Sequence, residues 1–107
     1  MGKPERYSVI FTTCGTQDDA GNLARLLVER HLAACVQMTP VTSVYEWEGK
    51  INKDQEVLLL IKAKKLLYHE IEEFIVQNHR YDIPEIIEVP IENGLAKYLG
   101  WIDEVSK

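Results

Sequence analysis

Ala34-Cys-Val-Gln-Met-Thr-Pro-Val-Thr-Ser-Val-Tyr-Glu-Trp-Glu48, then Gly49-Lys50, then Ile51-Asn-Lys-Asp-Gln-Glu-Val-Leu-Leu-Leu-Ile-Lys-Ala-Lys64 is the stretch that decides the fold. It reads as two long β-strands, rich in β-branched and aromatic residues, that meet at a turn over Glu48-Gly49-Lys50. Pro40 bends the first arm, and the period of two puts Val41, Ser43, Tyr45 and Trp47 on one face. Both arms exceed the usual strand of about five or six residues. A long hairpin therefore forms the middle of the chain.

Upstream, Tyr7-Ser-Val-Ile-Phe-Thr-Thr13 reads as a strand. Thr16 then offers a hydroxyl cap, with Asp18 and Asp19 in the first turn of a helix. Ala20, Leu23, Ala24, Leu27 and Val28 repeat at helical spacing, and Arg30 and His31 close the element. Downstream, Leu67, Ile71, Phe74 and Ile75 form the stripe of a second helix. A loop over His79-Arg80-Tyr81-Asp82-Ile83-Pro84 leads to a strand at Glu85–Ile91. A last helix follows Asn93-Gly94, with Leu95, Tyr98, Leu99, Ile102 and Val105 expected inward.

The order β-α-β, β-α-β plus a C-terminal helix is the split βαβ pattern of the ferredoxin-like fold, a two-layer α/β (α+β) sandwich. Right-handed crossovers place strands one and three in the centre and the helices on one face. The other face should then meet water and be polar, yet Val57-Leu58-Leu59-Leu60-Ile61 is apolar on both sides. Burying each such side chain is worth roughly 1.5–3 kcal/mol. Ile10, Leu58 and Leu60 are therefore expected on the helix-free face, covered by another subunit, with the tip Trp47 reaching a neighbour. Core packing of Trp47 inside one chain is the competing reading.

A chain of 107 residues suits a single domain over 1–107, with a flexible start at residues 1–6. Apolar residues at 46% and charged residues at 27% describe an ordinary globular balance. The net charge of -5 disfavours a nucleic-acid partner, which needs a clustered basic face. The densest basic group, Lys62, Lys64 and Lys65, reads better as a solvated strand-to-helix junction than as a phosphate site. No apolar run approaches a membrane span, the start has no apolar signal segment, and the two cysteines form no CxxC pair. These features lead to the expectation of a reduced, cytoplasmic protein without membrane attachment.

Catalytic signatures are sparse. GxSxG, HExxH, P-loop and GxGxxG patterns do not occur. Cys35 and His79 could form a thiol pair, but Cys35 sits in the apolar run Leu32-Ala-Ala-Cys-Val36, where free cysteine behaves as a small hydrophobe. The pairs Asp18–Asp19 and Glu72–Glu73 read as solvated helix surface. Among the three histidines, His31 and His69 lie at uninvolved helical positions, whereas His79 opens a loop with Tyr81, Pro84 and Glu85.

Taken together, Leu32-Ala-Ala-Cys-Val36, Ser43-Val-Tyr-Glu-Trp-Glu-Gly-Lys50, Glu56, Lys62, His79-Arg-Tyr-Asp-Ile-Pro-Glu-Ile-Ile87 and Tyr98-Leu-Gly-Trp-Ile102 stand in a known order. From about Tyr7 to Ile102 the chain resembles the CutA divalent-cation-tolerance family. That resemblance implies a ferredoxin-like subunit, similar in fold to the PII signalling proteins and assembled as a homotrimer. It also implies tolerance and weak binding of divalent metals, copper especially or zinc, with no organic cofactor and no enzymatic reaction. The family-pattern positions are Cys35, Tyr45, Trp47, Glu56, Lys62, His79, Tyr81 and Glu85. Two departures stand out: Arg80 replaces the usual proline after the histidine, and Ala63 replaces the usual threonine after Lys62.

Two ligand classes suit these residues. A divalent ion would use His79 with Cys35 and Glu85. A small anionic ligand, as in a PII-like signalling or scaffolding trimer, would use Lys62 beside Tyr45, Trp47, Glu56 and Tyr81 in a cleft between subunits. A thiol enzyme built on Cys35 is the third reading, and it requires an accessible thiolate. The topology itself places Cys14 and Cys35 at opposite ends of the sheet, about 20 Å apart at roughly 3.3 Å per residue. A disulfide needs α-carbons within about 7 Å. Mass spectrometry of air-exposed protein should find no intrachain Cys14–Cys35 bridge, and finding one would overturn the topology.

Overall fold

The computed structural model describes residues 6–107. The start expected to be flexible, residues 1–6, lies outside the described residues except for Arg6. The chain runs β1 (Tyr7–Cys14), α1 (Gln17–Glu29), β2 (Cys35–Trp47), β3 (Lys50–Lys64), α2 (Tyr68–Asn78), β4 (Ile87–Pro90) and α3 (Ala96–Val105). One antiparallel sheet carries the strands in the order β2-β3-β1-β4, as the split βαβ pattern requires.

Each element has a local cause. Glu48 and Gly49 both take positive φ, which sets the twist of a two-residue hairpin turn and pairs Trp47 with Lys50. Pro40 is accommodated because β2 is an edge strand and needs no outward N–H partner there. The Thr16 hydroxyl accepts the Asp19 N–H at 3.0 Å and caps α1. At its other end His31 turns left-handed, and Leu32 N–H returns to the Leu27 carbonyl, which closes the last turn.

The core lies between the sheet and α1 and α2. Val57, Leu59, Ile61 and Ala63 of β3 pack there with Ala20, Leu23, Leu27, Ile71, Phe74 and Ile75. Ile10 belongs to the same cluster and is fully buried, paired with Ile61 in register. This corrects the expectation that Ile10 lies on the helix-free face with Leu58 and Leu60. A period of two divides β1 into two faces, but only the register with β3 says which is which. Val9 and Phe11, opposite Lys62 and Leu60, occupy the helix-free face instead.

Two further expectations change. β4 is shorter than Glu85–Ile91, running only from Ile87 to Pro90. Of the residues expected inward on α3, only Ile102 is buried, while Leu95 and Tyr98 are exposed. The two cysteines are free, and they stand opposite Val57 and Lys62 of β3, at well-separated levels of the sheet.

The hairpin outruns the sheet. β3 pairs with β2 along Lys50–Lys62 but meets β1 only from Val57 onward. The remainder, 41–47 against 50–56, is a two-stranded arm, and it stretches the chain to 47 × 26 × 22 Å. A ribbon of two strands is marginal in water by itself, and Val44, Tyr45, Trp47 and Ile51 are exposed on it.

The corrected placement of Ile10 has a direct consequence for stability. Ile10→Ala should lower the unfolding free energy in urea by about 2–5 kcal/mol, the cost of a cavity in a packed core. A loss below about 1 kcal/mol would place Ile10 outside that core.

Candidate functional site

The outer half of the hairpin and the loop after α2 face each other across a cleft of about 580 Å³. Tyr45, Trp47 and Glu56 line it from the arm, Thr13 from the end of β1, and Tyr81, Asp82, Ile83 and Glu85 from the loop. Because alternate residues of a strand share a face, Ser43, Tyr45 and Trp47 reach it together.

Tyr81 is fixed from several sides. Its hydroxyl donates to Glu56 Oε2 at 2.8 Å, and its backbone N–H donates to His79 Nδ1 at 3.1 Å. Its ring lies against the imidazole, centroids 4.8 Å apart. Gly15 leaves room for the hydroxyl, since a Cβ there would stand 3.2 Å from it. Burial, then the bond to Glu56, raises the Tyr81 pKa and keeps the phenol protonated. On the arm, Tyr45 donates to Asp54, and that bond to a carboxylate raises its pKa as well.

His79 anchors the loop. Its Nε2 lies 2.6 Å from the Thr13 carbonyl, which only a protonated nitrogen can satisfy, while Nδ1 accepts from Tyr81. Both ring nitrogens are thus engaged, which leaves no lone pair for a metal. Arg80 adds a second tether, donating to Asp19 Oδ2 at 2.8 Å across to α1. The arginine that departs from the family pattern therefore ties the loop down.

The structure gathers Tyr45, Trp47, Glu56, Tyr81 and Glu85 along one cleft, sets His79 against Tyr81, and leaves Cys35 and Lys62 at the other end of the sheet. Cys35 stands opposite Lys62, at the end of the sheet away from His79, so the expected trio of His79, Cys35 and Glu85 does not converge within this chain. The cause is topological, since Cys35 begins a strand whose far half builds the cleft. Lys62 shares that distant level and donates to Gln37 Oε1 at 2.6 Å. Lys64 donates to the Lys107 carbonyl and Lys65 to Glu88, as suits a solvated junction. Ala63 is buried beside Ser8 on the helix side, so a hydroxyl there would not reach the cleft. Among the described residues, no three His, Cys, Asp or Glu side chains form a metal-holding group.

Sequence reasoning weighed Cys14 only for a disulfide and missed its place beside His79, whose Nε2 lies 3.9 Å from the Cys14 Sγ. It also overlooked Asp54, which is diagonal to Tyr45 across the hairpin, a relation the turn position alone implies. Cys35 is only half-buried, and the core cysteine is Cys14. Burial, then the charges of Asp19 and Glu56, pushes the Cys14 thiol from 9.0 to about 11.

Comparison with known proteins follows from this geometry. Residues 8–105 match the family model described as CutA1 divalent ion tolerance protein. The chain is 42% identical over 105 residues to protein CutA of Mus musculus, covering 97% of this chain and 59% of that protein. It is 39% identical to the divalent-cation tolerance protein CutA of Thermus thermophilus, covering 90% of this chain and 94% of that one. The structure of the periplasmic divalent cation tolerance protein CutA from Archaeoglobus fulgidus superposes with a TM-score of 0.93 at 35% identity, over 94% of this chain and 99% of that one.

The Cys14 shift predicts a pH dependence. A folded pKa raised above the unfolded one gives a contribution complete below the unfolded value and lost as pH rises through the folded one. Wild-type protein should therefore lose more stability between pH 9.0 and about 11 than Cys14→Ala does. Parallel urea midpoints for the two proteins across that range would refute the burial of the thiol.

Proposed function

The chain belongs to the CutA1 divalent ion tolerance protein family, and from that premise we propose that it is a cytoplasmic homotrimer that binds divalent metal weakly, copper before zinc, and catalyses no reaction. One observation carries the choice of a cation: Glu56, Asp82 and Glu85 line the cleft, and among the described residues no lysine, arginine or histidine does. Coulomb attraction in such a cleft favours positive ligands. The donors are hard oxygens, few and unclustered, which suits an ion held by one or two carboxylates and water. At any such site copper outranks zinc in affinity.

The anionic-ligand reading, a PII-like signalling or scaffolding trimer, loses its main support because Lys62 lies outside the cleft and is bonded to Gln37. Assembly draws support from the unsupported arm and from Leu58 and Leu60, which are partly exposed on the helix-free face. A second strand layer or neighbour over that face would remove apolar surface from water at about 25 cal/mol per Å².

Calorimetric titration of metal-free protein with copper, zinc and a panel of anionic metabolites tests the reading. Copper should give saturable heat, zinc a weaker signal, and the anions none. Glu85→Gln should weaken copper about fivefold or more, as expected for the loss of one charge near a cation. Saturable binding of an anion with no heat from either metal would reverse the assignment.

A further inference from the structure

We propose that His79 works as a pH-operated latch: the neutral imidazole holds the 79–81 turn closed over Cys14, and its protonation releases Tyr81 and opens the turn. The device sits at the end of β1, on the helix side of the sheet, and does not depend on what the cleft binds.

Two bonds fix the protonation state of the ring. Nε2 lies 2.6 Å from the Thr13 carbonyl oxygen, so this nitrogen carries the hydrogen. Nδ1 accepts the Tyr81 backbone N–H at 3.1 Å, so this nitrogen is bare. Only the neutral Nε2–H tautomer makes both bonds. An imidazolium carries a hydrogen on each nitrogen. Its Nδ1–H would meet the Tyr81 N–H donor against donor, and that bond must break. The closed turn therefore binds one proton fewer than the open one, and closure weakens as pH falls through the histidine range.

The surroundings do not accommodate the charged ring in place. From β1 it meets the Thr13 carbonyl, already bonded, and the Cys14 thiol at 3.9 Å. Burial keeps that thiol protonated, so it supplies no counter-charge. Asp19 of α1 is engaged with Arg80 at 2.8 Å, and Glu56 of β3 accepts the Tyr81 hydroxyl at 2.8 Å. The end of α2 offers only the uncharged Gln77 and Asn78, and Asp82 lines the cleft on the other side.

Tyr81 carries the rest of the closed state through its bond to Glu56 and its ring, 4.8 Å from the imidazole. When its N–H is expelled, these contacts loosen together. Arg80, unlike a proline, leaves the backbone free to turn at this point. What the open turn uncovers is Cys14, only 3% exposed when it is closed. Cys14, His79, Arg80 and Tyr81 border one cavity of about 490 Å³ between α1 and α2, which gives a reagent its way in.

Thiol labelling of the full chain reads the latch. In a Cys35→Ser background only Cys14 reacts, and a pyridyl disulfide attacks thiols in acid as well as at neutral pH. Dividing the rate for the urea-unfolded chain by that for the folded chain at each pH gives the protection of Cys14. Protection should fall about tenfold or more from about pH 8 to about pH 5, since one linked proton shifts an equilibrium by up to about tenfold per pH unit. His79→Gln keeps a donor toward Thr13 but cannot become charged, so its protection should stay level over that range. His69→Gln, exposed on α2, should retain the wild-type fall. Circular dichroism at each pH confirms that the fold persists. Should His79→Gln fail to fold, ¹⁵N NMR of the wild-type ring decides: the Nε2–H tautomer at the upper pH, and a Tyr81 amide that loses its hydrogen bond as the ring charges. Level protection in the wild type, a fall that persists in His79→Gln, or an Nδ1–H tautomer would each overturn the proposal.

Discussion

The register of β3 against its two neighbours governs this molecule. Paired with β1 only from Val57 onward, β3 divides into an inner half that builds the core and an outer half that leaves the sheet with β2. In the inner half Val57, Leu59 and Ile61 alternate toward the helices and meet Ile10 of β1. In the outer half the same alternation has no helix to face, so Tyr45 and Trp47 stand partly exposed across from the 79–85 loop. Shifting the pairing by one residue would exchange both faces together. Core and cleft thus depend on one set of ladder bonds.

The cleft has two walls of unequal rigidity. One is the ribbon of two strands, held by its own ladder and by the Glu48-Gly49 turn. The other is a loop without regular structure, held by the His79 side chain, which bonds the Thr13 carbonyl and the Tyr81 backbone N–H, and by the Arg80–Asp19 ion pair. The Tyr81–Glu56 bond joins the two walls. A hydrogen bond to a charged acceptor is worth about 1.5–3 kcal/mol, comparable with local opening of a surface loop. Loss of the Tyr81–Glu56 bond would therefore release the loop from the arm.

Much of this was legible before any coordinates. Hairpin length, the cap at Thr16 and the stripes of α1 and α2 follow from periodicity and turn chemistry, and strand order follows from handed crossovers. What stayed hidden depends on register and on distance along strands. Ile10 was assigned to the wrong face because alternation is symmetric until a partner strand breaks it. Cys35 and Lys62 were grouped with His79 because family positions share a pattern, whereas a 13-residue strand carries its two ends far apart. His79 looked like a ligand because its type suits metals; its two backbone bonds are long-range or local details that spacing does not encode. Tyr45, Trp47, Glu56, Tyr81 and Glu85 did come together, four of them as aromatic or acidic residues flagged at the hairpin or the loop.

The central proposal is that neighbouring subunits cover and so stabilise a two-strand arm that bears exposed Val44, Tyr45, Trp47 and Ile51. Sedimentation equilibrium of the wild-type chain at micromolar concentration tests this most directly. The account predicts a single species at the mass of a trimer of 12.3 kDa subunits. A chain that stays at 12.3 kDa across the concentration range would contradict it.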